Sequence, residues 1–220
     1  MNETIKAFIF DLDGTLIDTE KIYRMLWPKA IEKYGSSMSD DQFLELRSLG
    51  RPFVVDKFRE WFGDDFDYVE ARNYCKSLFD EYIGVHGIEV KPGAIELLEF
   101  LHKQGVTTAI ATATDLDKAE SFLVQTGLRK YFDRIISAKM VTEGKPSPLV
   151  YQYAVEQLGL EPSECVAVED APNGVRSAAG AGLRVIMVPD LTEPDGELCK
   201  LIWKKCSSLE DIIQITHSNQ

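Results

Sequence analysis

Short β-branched or apolar runs alternate with longer segments of helical period along most of this 220-residue chain. That alternation is the pattern of an α/β protein built on a mainly parallel sheet. The candidate strands are Ile5–Phe10, Val106–Thr112, Arg134–Ser137, Cys165–Glu169 and Arg184–Val188. Several are nearly continuous apolar runs, as expected when helices cover both faces of a sheet. Between them, Ile95, Leu98 and Leu101, then Ala119, Phe122 and Leu123, then Tyr151, Ala154, Val155 and Leu158 space as the inner faces of crossover helices. A doubly wound parallel sheet follows as the expected fold class.

The alternation fails between about residues 18 and 87, where helical patterns occur with no convincing strand. Ile22, Met25, Leu26, Ile31 and Tyr34 mark one helix face, and Val54, Phe58, Trp61 and Phe62 mark another. Gly84, Gly87, Pro92 and Gly93 punctuate the return to the α/β pattern. The expected organisation is therefore an α/β core from residues 1–17 and 88–220, interrupted by an all-helical insertion over 18–87.

Composition narrows the function. Twenty-four Lys and Arg against 36 Asp and Glu give a formal net charge of −12, so no wide basic surface is available to grip nucleic acid or an anionic membrane. No run approaches the ~18 apolar residues of a membrane span, and no signal peptide is evident. Cys75, Cys165, Cys199 and Cys206 include no C-x-x-C pair and read as reduced thiols in a cytoplasmic protein.

Ligands of open α/β sheets bind beyond the carboxyl ends of the strands, and four such positions carry chemistry. The first strand runs into Asp11-Leu12-Asp13-Gly14-Thr15. Acids at i and i+2 on an extended backbone point to one side, and Gly14 lets the chain turn away. A calcium loop of the EF-hand type would need Gly and Glu where Leu16 and Ile22 stand. The second strand ends at Thr112-Ala113-Thr114-Asp115, which suits either a plain helix N-cap or a phosphate at free helix amides. Gly144-Lys145-Pro146-Ser147-Pro148 precedes a helix, but Lys139 occupies the first glycine position that a Walker P-loop requires. Glu169-Asp170-Ala171-Pro172-Asn173-Gly174 follows another buried strand. Adjacent acids there call for a cation, and with Asp11 they form a hard oxygen set that favours Mg²⁺ over zinc. His86, His102 and His217 are scattered, which supports neither a histidine zinc site nor a Ser-His-Asp triad.

FIFDLDGTLIDTE, ATAT, GKPSP and VEDAPNGV, in this order at these strand ends, resemble the four motifs of the haloacid dehalogenase superfamily of aspartate-nucleophile phosphohydrolases. The helical insertion after the first motif resembles the cap of the subgroup that includes β-phosphoglucomutase and pseudouridine 5′-phosphatase. The resemblance implies Mg²⁺-dependent hydrolysis of a small phosphomonoester through an aspartyl-phosphate. It implies Asp11 as nucleophile, Asp13 as general acid and base, and Thr112, Ala113 and Lys145 as phosphate-binding groups. Asp11, Asp13, Glu169 and Asp170 would hold the metal, and Glu20, Tyr23 and Arg51 of the cap would contact the substrate. A small phosphorylated metabolite is the expected partner, with the chain acting as a monomer and with neither nucleic acid nor membrane bound. Phosphoryl transfer between sugar hydroxyls and a non-catalytic phospho-acceptor or binding module stay open as alternatives. Tyr23 stands near where mutase-like sequences carry a His, which favours water as the acceptor. Leu149 replaces an Asp that commonly follows K-P-x-P and that would help to orient the lysine loop.

Overall fold

The computed structural model describes residues 5–47, 49–50 and 52–217. Six strands form one parallel sheet: β1 (Ala7–Phe10), β2 (Thr107–Thr112), β3 (Arg134–Ser137), β4 (Cys165–Glu169), β5 (Arg184–Met187) and β6 (Lys204–Lys205), in the order β3-β2-β1-β4-β5-β6. The chain builds outward from β1 through β2 to β3, then returns to the other side of β1 with β4. The reversal lies between β1 and β4, whose register pairs Ala7 with Cys165 and Phe10 with Val168. A reversal of this kind opens a crevice at the strand ends.

Side-chain alternation sorts the sheet into two faces. Phe8, Phe10, Ile110, Val166 and Val168 pack against α5 (Ala94–Lys103), α6 (Leu116–Gln125) and α9 (Glu210–His217). On the other face Ala7, Ile9, Ala109, Ala111 and Ala167 pack against α7 (Leu149–Leu158) and α8 (Pro172–Gly180). The small residues on that second face let α7 and α8 approach the sheet closely.

Among the described residues 20–86 lie four helices: α1 (Glu20–Glu32), α2 (Asp40–Leu46), α3 (Phe53–Phe62) and α4 (Tyr68–His86). Ile31, Phe43, Val54, Phe58 and Tyr68 form a core of their own. Ile22 and Leu26 of α1, with Cys75 and Phe79 of α4, join the sheet-side core instead. The insertion is thereby packed onto the crevice end of the sheet.

Several expectations shift. β1 begins at Ala7 rather than Ile5, although Lys6 still donates its N–H to the Glu164 carbonyl at 2.8 Å. β5 likewise ends at Met187 rather than Val188. Met25 and Ile95 are exposed, at 40% and 41%. The buried phase of α1 runs through Ile22, Leu26, Ala30 and Ile31, and that of α5 through Ala94, Leu97, Leu98 and Leu101. One alanine belongs to each face, Ala30 and Ala94, which a count of large apolar residues overlooks, and on α5 Leu97 rather than Ile95 points inward. Gly84 lies inside α4 and does not break it. β6 was not expected: two exposed lysines form it, a charged edge without apolar signal. All four cysteines are free, with only Cys199 exposed. No described helix is long and apolar enough to cross a membrane.

Candidate active site

The loop after β1 is a tight reversal. The Gly14 N–H donates to the Ile17 carbonyl at 2.8 Å, and Leu16 N–H donates to Leu12 at 3.0 Å. Gly14 has φ +87°, and a Cβ there would collide with the Asp170 carboxylate. Glycine is thus required twice over, by backbone conformation and by space. The turn delivers Asp11 and Asp13 to one cavity of about 180 Å³, whose wall also includes Glu20, Tyr23, Thr112 and Ala113.

Beneath that cavity lies a buried ionic cluster. Lys145 Nζ, fully buried, donates to Asp11 Oδ1 at 2.5 Å and to Glu169 Oε1 at 2.6 Å. Burial alone would lower the lysine pKa, but the two carboxylates raise it above the ordinary value and keep the ammonium charged. Burial raises Asp11 as well, against the pull of Lys145. It pushes Glu169 up to about 8, opposed by Lys145, and Asp170 up to about 7, opposed by Arg47. Carboxylate oxygens of Asp11, Glu169 and Asp170 lie within 4.8 Å of one another. Glu169 Oε2 is buried with no hydrogen-bond partner. An oxygen-only donor set with a free buried acceptor fits a hard divalent cation such as Mg²⁺.

Asp13 sits at the cavity wall among hydroxyls. Thr19 Oγ1 donates to its Oδ1 at 2.6 Å, and Thr114 and Thr112 donate to its Oδ2 at 2.7 and 3.4 Å. Glu20 is largely buried, and burial raises its pKa well above the carboxylate range, opposed by Arg47. Tyr23 stacks on Phe79 with ring centroids 4.4 Å apart and accepts a 3.2 Å bond from Lys118 Nζ. The sequence positions Asp11, Asp13, Thr112, Ala113, Lys145, Glu169, Asp170, Glu20 and Tyr23 therefore converge. Arg51 lies outside the described residues.

Arg47, absent from the expected set, reaches from the insertion into the cluster. Its side chain is fully buried and its Nη2 pairs with Asp170 Oδ2. Nη2 also lies 3.4 Å from Asp190 Oδ2, Nε 3.5 Å from Glu20 Oε2, and Nη1 donates to Thr192 at 3.2 Å. The sequence carries little signal for it: Phe43 and Leu46 lie on the face that α2 buries, but Arg47 follows the helix at its C-cap, with ψ 129°. The chain around Arg47 is tied down too. Asn173 Nδ2 donates to the Arg47 carbonyl at 3.0 Å, and Gly50 N–H donates to the Lys145 carbonyl at 2.8 Å. Leu149 leaves no acid to orient the lysine loop; Ser177 of α8 donates instead to the Ser147 carbonyl at 2.6 Å.

The profile of the haloacid dehalogenase-like hydrolases matches residues 5–182. The chain is 32% identical over 188 residues to a phosphorylated carbohydrates phosphatase of Thermotoga maritima, covering 83% of this chain and 84% of that protein. It is 33% identical over 196 residues to hexitol phosphatase A of Escherichia coli, covering 86% and 88%. Among solved structures, CbbY from Rhodobacter sphaeroides in complex with phosphate superposes with a TM-score of 0.78 at 28% identity, covering 95% of this chain and 96% of that one. With its four motifs gathered at the ends of β1, β2 and β4 and in the loop before α7, the chain belongs to the haloacid dehalogenase-like hydrolase family.

Proposed function

We propose that this hydrolase is a Mg²⁺-dependent phosphatase of small phosphomonoesters, sugar phosphates or nucleotide-like phosphates, acting through an aspartyl-phosphate on Asp11. The observation that carries the reading is the pairing of Asp11 and Asp13 on one cavity, with a buried lysine bonded to Asp11. The relatives named as phosphatases of phosphorylated carbohydrates and hexitols support the substrate class, and a cavity of about 180 Å³ suits a metabolite rather than a polymer.

An Asp11 oxygen attacks phosphorus as the ester P–O bond breaks, and Asp13 gives its proton to the leaving oxygen. Asp13 then takes a proton from water, whose oxygen displaces Asp11 and releases phosphate. The three threonine hydroxyls on Asp13 fix the direction of its carboxyl through both steps. Lys145, Thr112 and the Ala113 amide would meet the charge that develops on the phosphoryl oxygens. Mg²⁺, held by the Asp11 carboxylate, the Asp13 main-chain carbonyl, Glu169 and Asp170, would supply further positive charge to those oxygens.

The four insertion helices act as a cap whose Glu20 and Tyr23 face the leaving group and exclude water, with Arg51 the further substrate contact of this reading. Tyr23 offers no imidazole to a second sugar hydroxyl, which supports hydrolysis over transfer. In this reading the chain acts as a monomer, and the free thiols suit a reducing cytoplasm.

The test is phosphate release from sugar phosphates, hexitol phosphates, nucleoside monophosphates and glycolate phosphate, with Mg²⁺ or with chelator. Turnover of at least one of them is expected only with Mg²⁺, and Asp11→Asn should abolish it while the circular dichroism spectrum stays unchanged. Absence of release from every compound, or an active Asp11→Asn protein, would overturn the reading.

A further inference from the structure

Glu169 holds its two oxygens in unequal states. Oε1 accepts from Lys145 at 2.6 Å and also from the phenol of Tyr151 at 2.7 Å, whereas Oε2 is buried and accepts nothing. Tyr151 is itself fully buried in the first turn of α7. Its ring centroid lies 5.2 Å from Lys145 Nζ, so one side chain touches both the lysine and the carboxylate that the lysine bridges. The opposite side of the carboxylate is closed by Gly174, where any Cβ would overlap both oxygens.

We propose that Tyr151 is a positioning residue for this site. Its hydroxyl fixes Oε1 as the oxygen shared with Lys145 and so leaves Oε2 free as a cation ligand. Without that hydroxyl the carboxylate has one donor instead of two. It can then rotate about its terminal bond, offer Lys145 either oxygen and draw the ammonium away from Asp11. The aromatic ring alone, which packs in the core and faces the ammonium, does not prevent this. Loss of such an outer partner typically costs 10–100-fold in metal affinity or activity. The inference rests on Asp11 and Lys145 being the reactive pair, but its metal-binding consequence can be read without turnover.

Tyr151→Phe keeps the ring and removes only the hydroxyl. Titration calorimetry of the full metal-free chain with Mn²⁺ or Mg²⁺ should show binding weakened roughly tenfold or more. Where the wild-type protein turns over a phosphomonoester, kcat should fall about tenfold with KM within about twofold. A purely structural tyrosine would instead lower the melting temperature and leave both readouts in place. On a Glu169→Gln background the Tyr151→Phe effect should vanish, since the shared oxygen is no longer a carboxylate's. Metal affinity of Tyr151→Phe within about twofold of wild type, the full loss persisting beside Glu169→Gln, or a wild-type chain that binds neither cation would each overturn the proposal. Failure of the phosphatase screen alone leaves the calorimetric result to decide.

Discussion

Lys145 has two tasks that pull in the same direction. It neutralises Asp11 and Glu169, which would otherwise face one another in a buried space, and it keeps Asp11 Oδ1 in a fixed position. Removing one member of a buried ion cluster strands the others, at about 3–5 kcal/mol. Lys145→Ala should therefore lower the melting temperature of the metal-free protein, less so with Mg²⁺ present, and reduce kcat by on the order of 10² or more, the cost of one lost oxyanion donor. A rate change under about threefold would remove Lys145 from the chemistry. The lysine was legible in the sequence through its place between glycine and proline just before a helix. Arg47 was not legible, because it follows a short helix in a non-helical conformation and a cation there ordinarily reads as solvated. Tyr151 was legible only as an apolar spacing: its ring matches the inner face of α7, and nothing local shows that its hydroxyl meets a carboxylate 18 residues away.

Between α2 and α3 the insertion is fastened at Arg47 and Gly50, as a short strap, to the core beside the proposed catalytic groups. Asn173 holds the Arg47 carbonyl, Arg47 reaches Asp170, and the Gly50 N–H meets the Lys145 carbonyl. Gly50 and Gly144 press backbone to backbone, so that a Cβ on Gly50 would lie 2.5 Å from the Gly144 Cα. Main chain cannot swing aside as a flexible side chain can, so an added methyl has to lift the strap off the lysine loop. Gly50→Ala should leave helix content unchanged by circular dichroism and lower kcat/KM at least about tenfold for a sugar phosphate, whose leaving group needs a closed cap. Acetyl phosphate, with a small leaving group, should lose less than about threefold. Equal losses on both substrates would place the effect in the lysine loop itself rather than in closure. None of this docking could be read from the chain, since contacts between Gly50 and Gly144 join two segments with no shared period. The existence of α1, α3, α5, α6 and α7 was readable from apolar spacing, whereas α2, α4, α8 and α9 were not singled out; the exact inner faces of α1 and α5 were missed because Ala30 and Ala94 belong to them and Leu97, not Ile95, points inward.

For the whole molecule, the net charge of −12 argues against a polyanion gripped over a wide surface, yet it says little about one phosphate. The buried cluster concentrates Asp11, Glu169 and Asp170 and offsets them locally with Lys145 and Arg47, one from the core and one from the insertion. Without a metal that balance is incomplete, and pH should reveal it. Burial raises Glu169 to about 8 and Asp170 to about 7, whereas in the unfolded chain both titrate near 4. From about pH 4 up to pH 7–8 the folded protein thus holds protons that the unfolded chain has released, and stability falls as pH rises. The melting temperature of the metal-free protein should accordingly be higher near pH 5 than near pH 8. Mg²⁺ binds the deprotonated carboxylates, so its addition should raise the melting temperature more at the higher pH and flatten the profile. A metal-free melting temperature that rises across that interval, or a Mg²⁺ increment larger at pH 5, would show that the acids at the ends of β1 and β4 are already compensated within the protein itself.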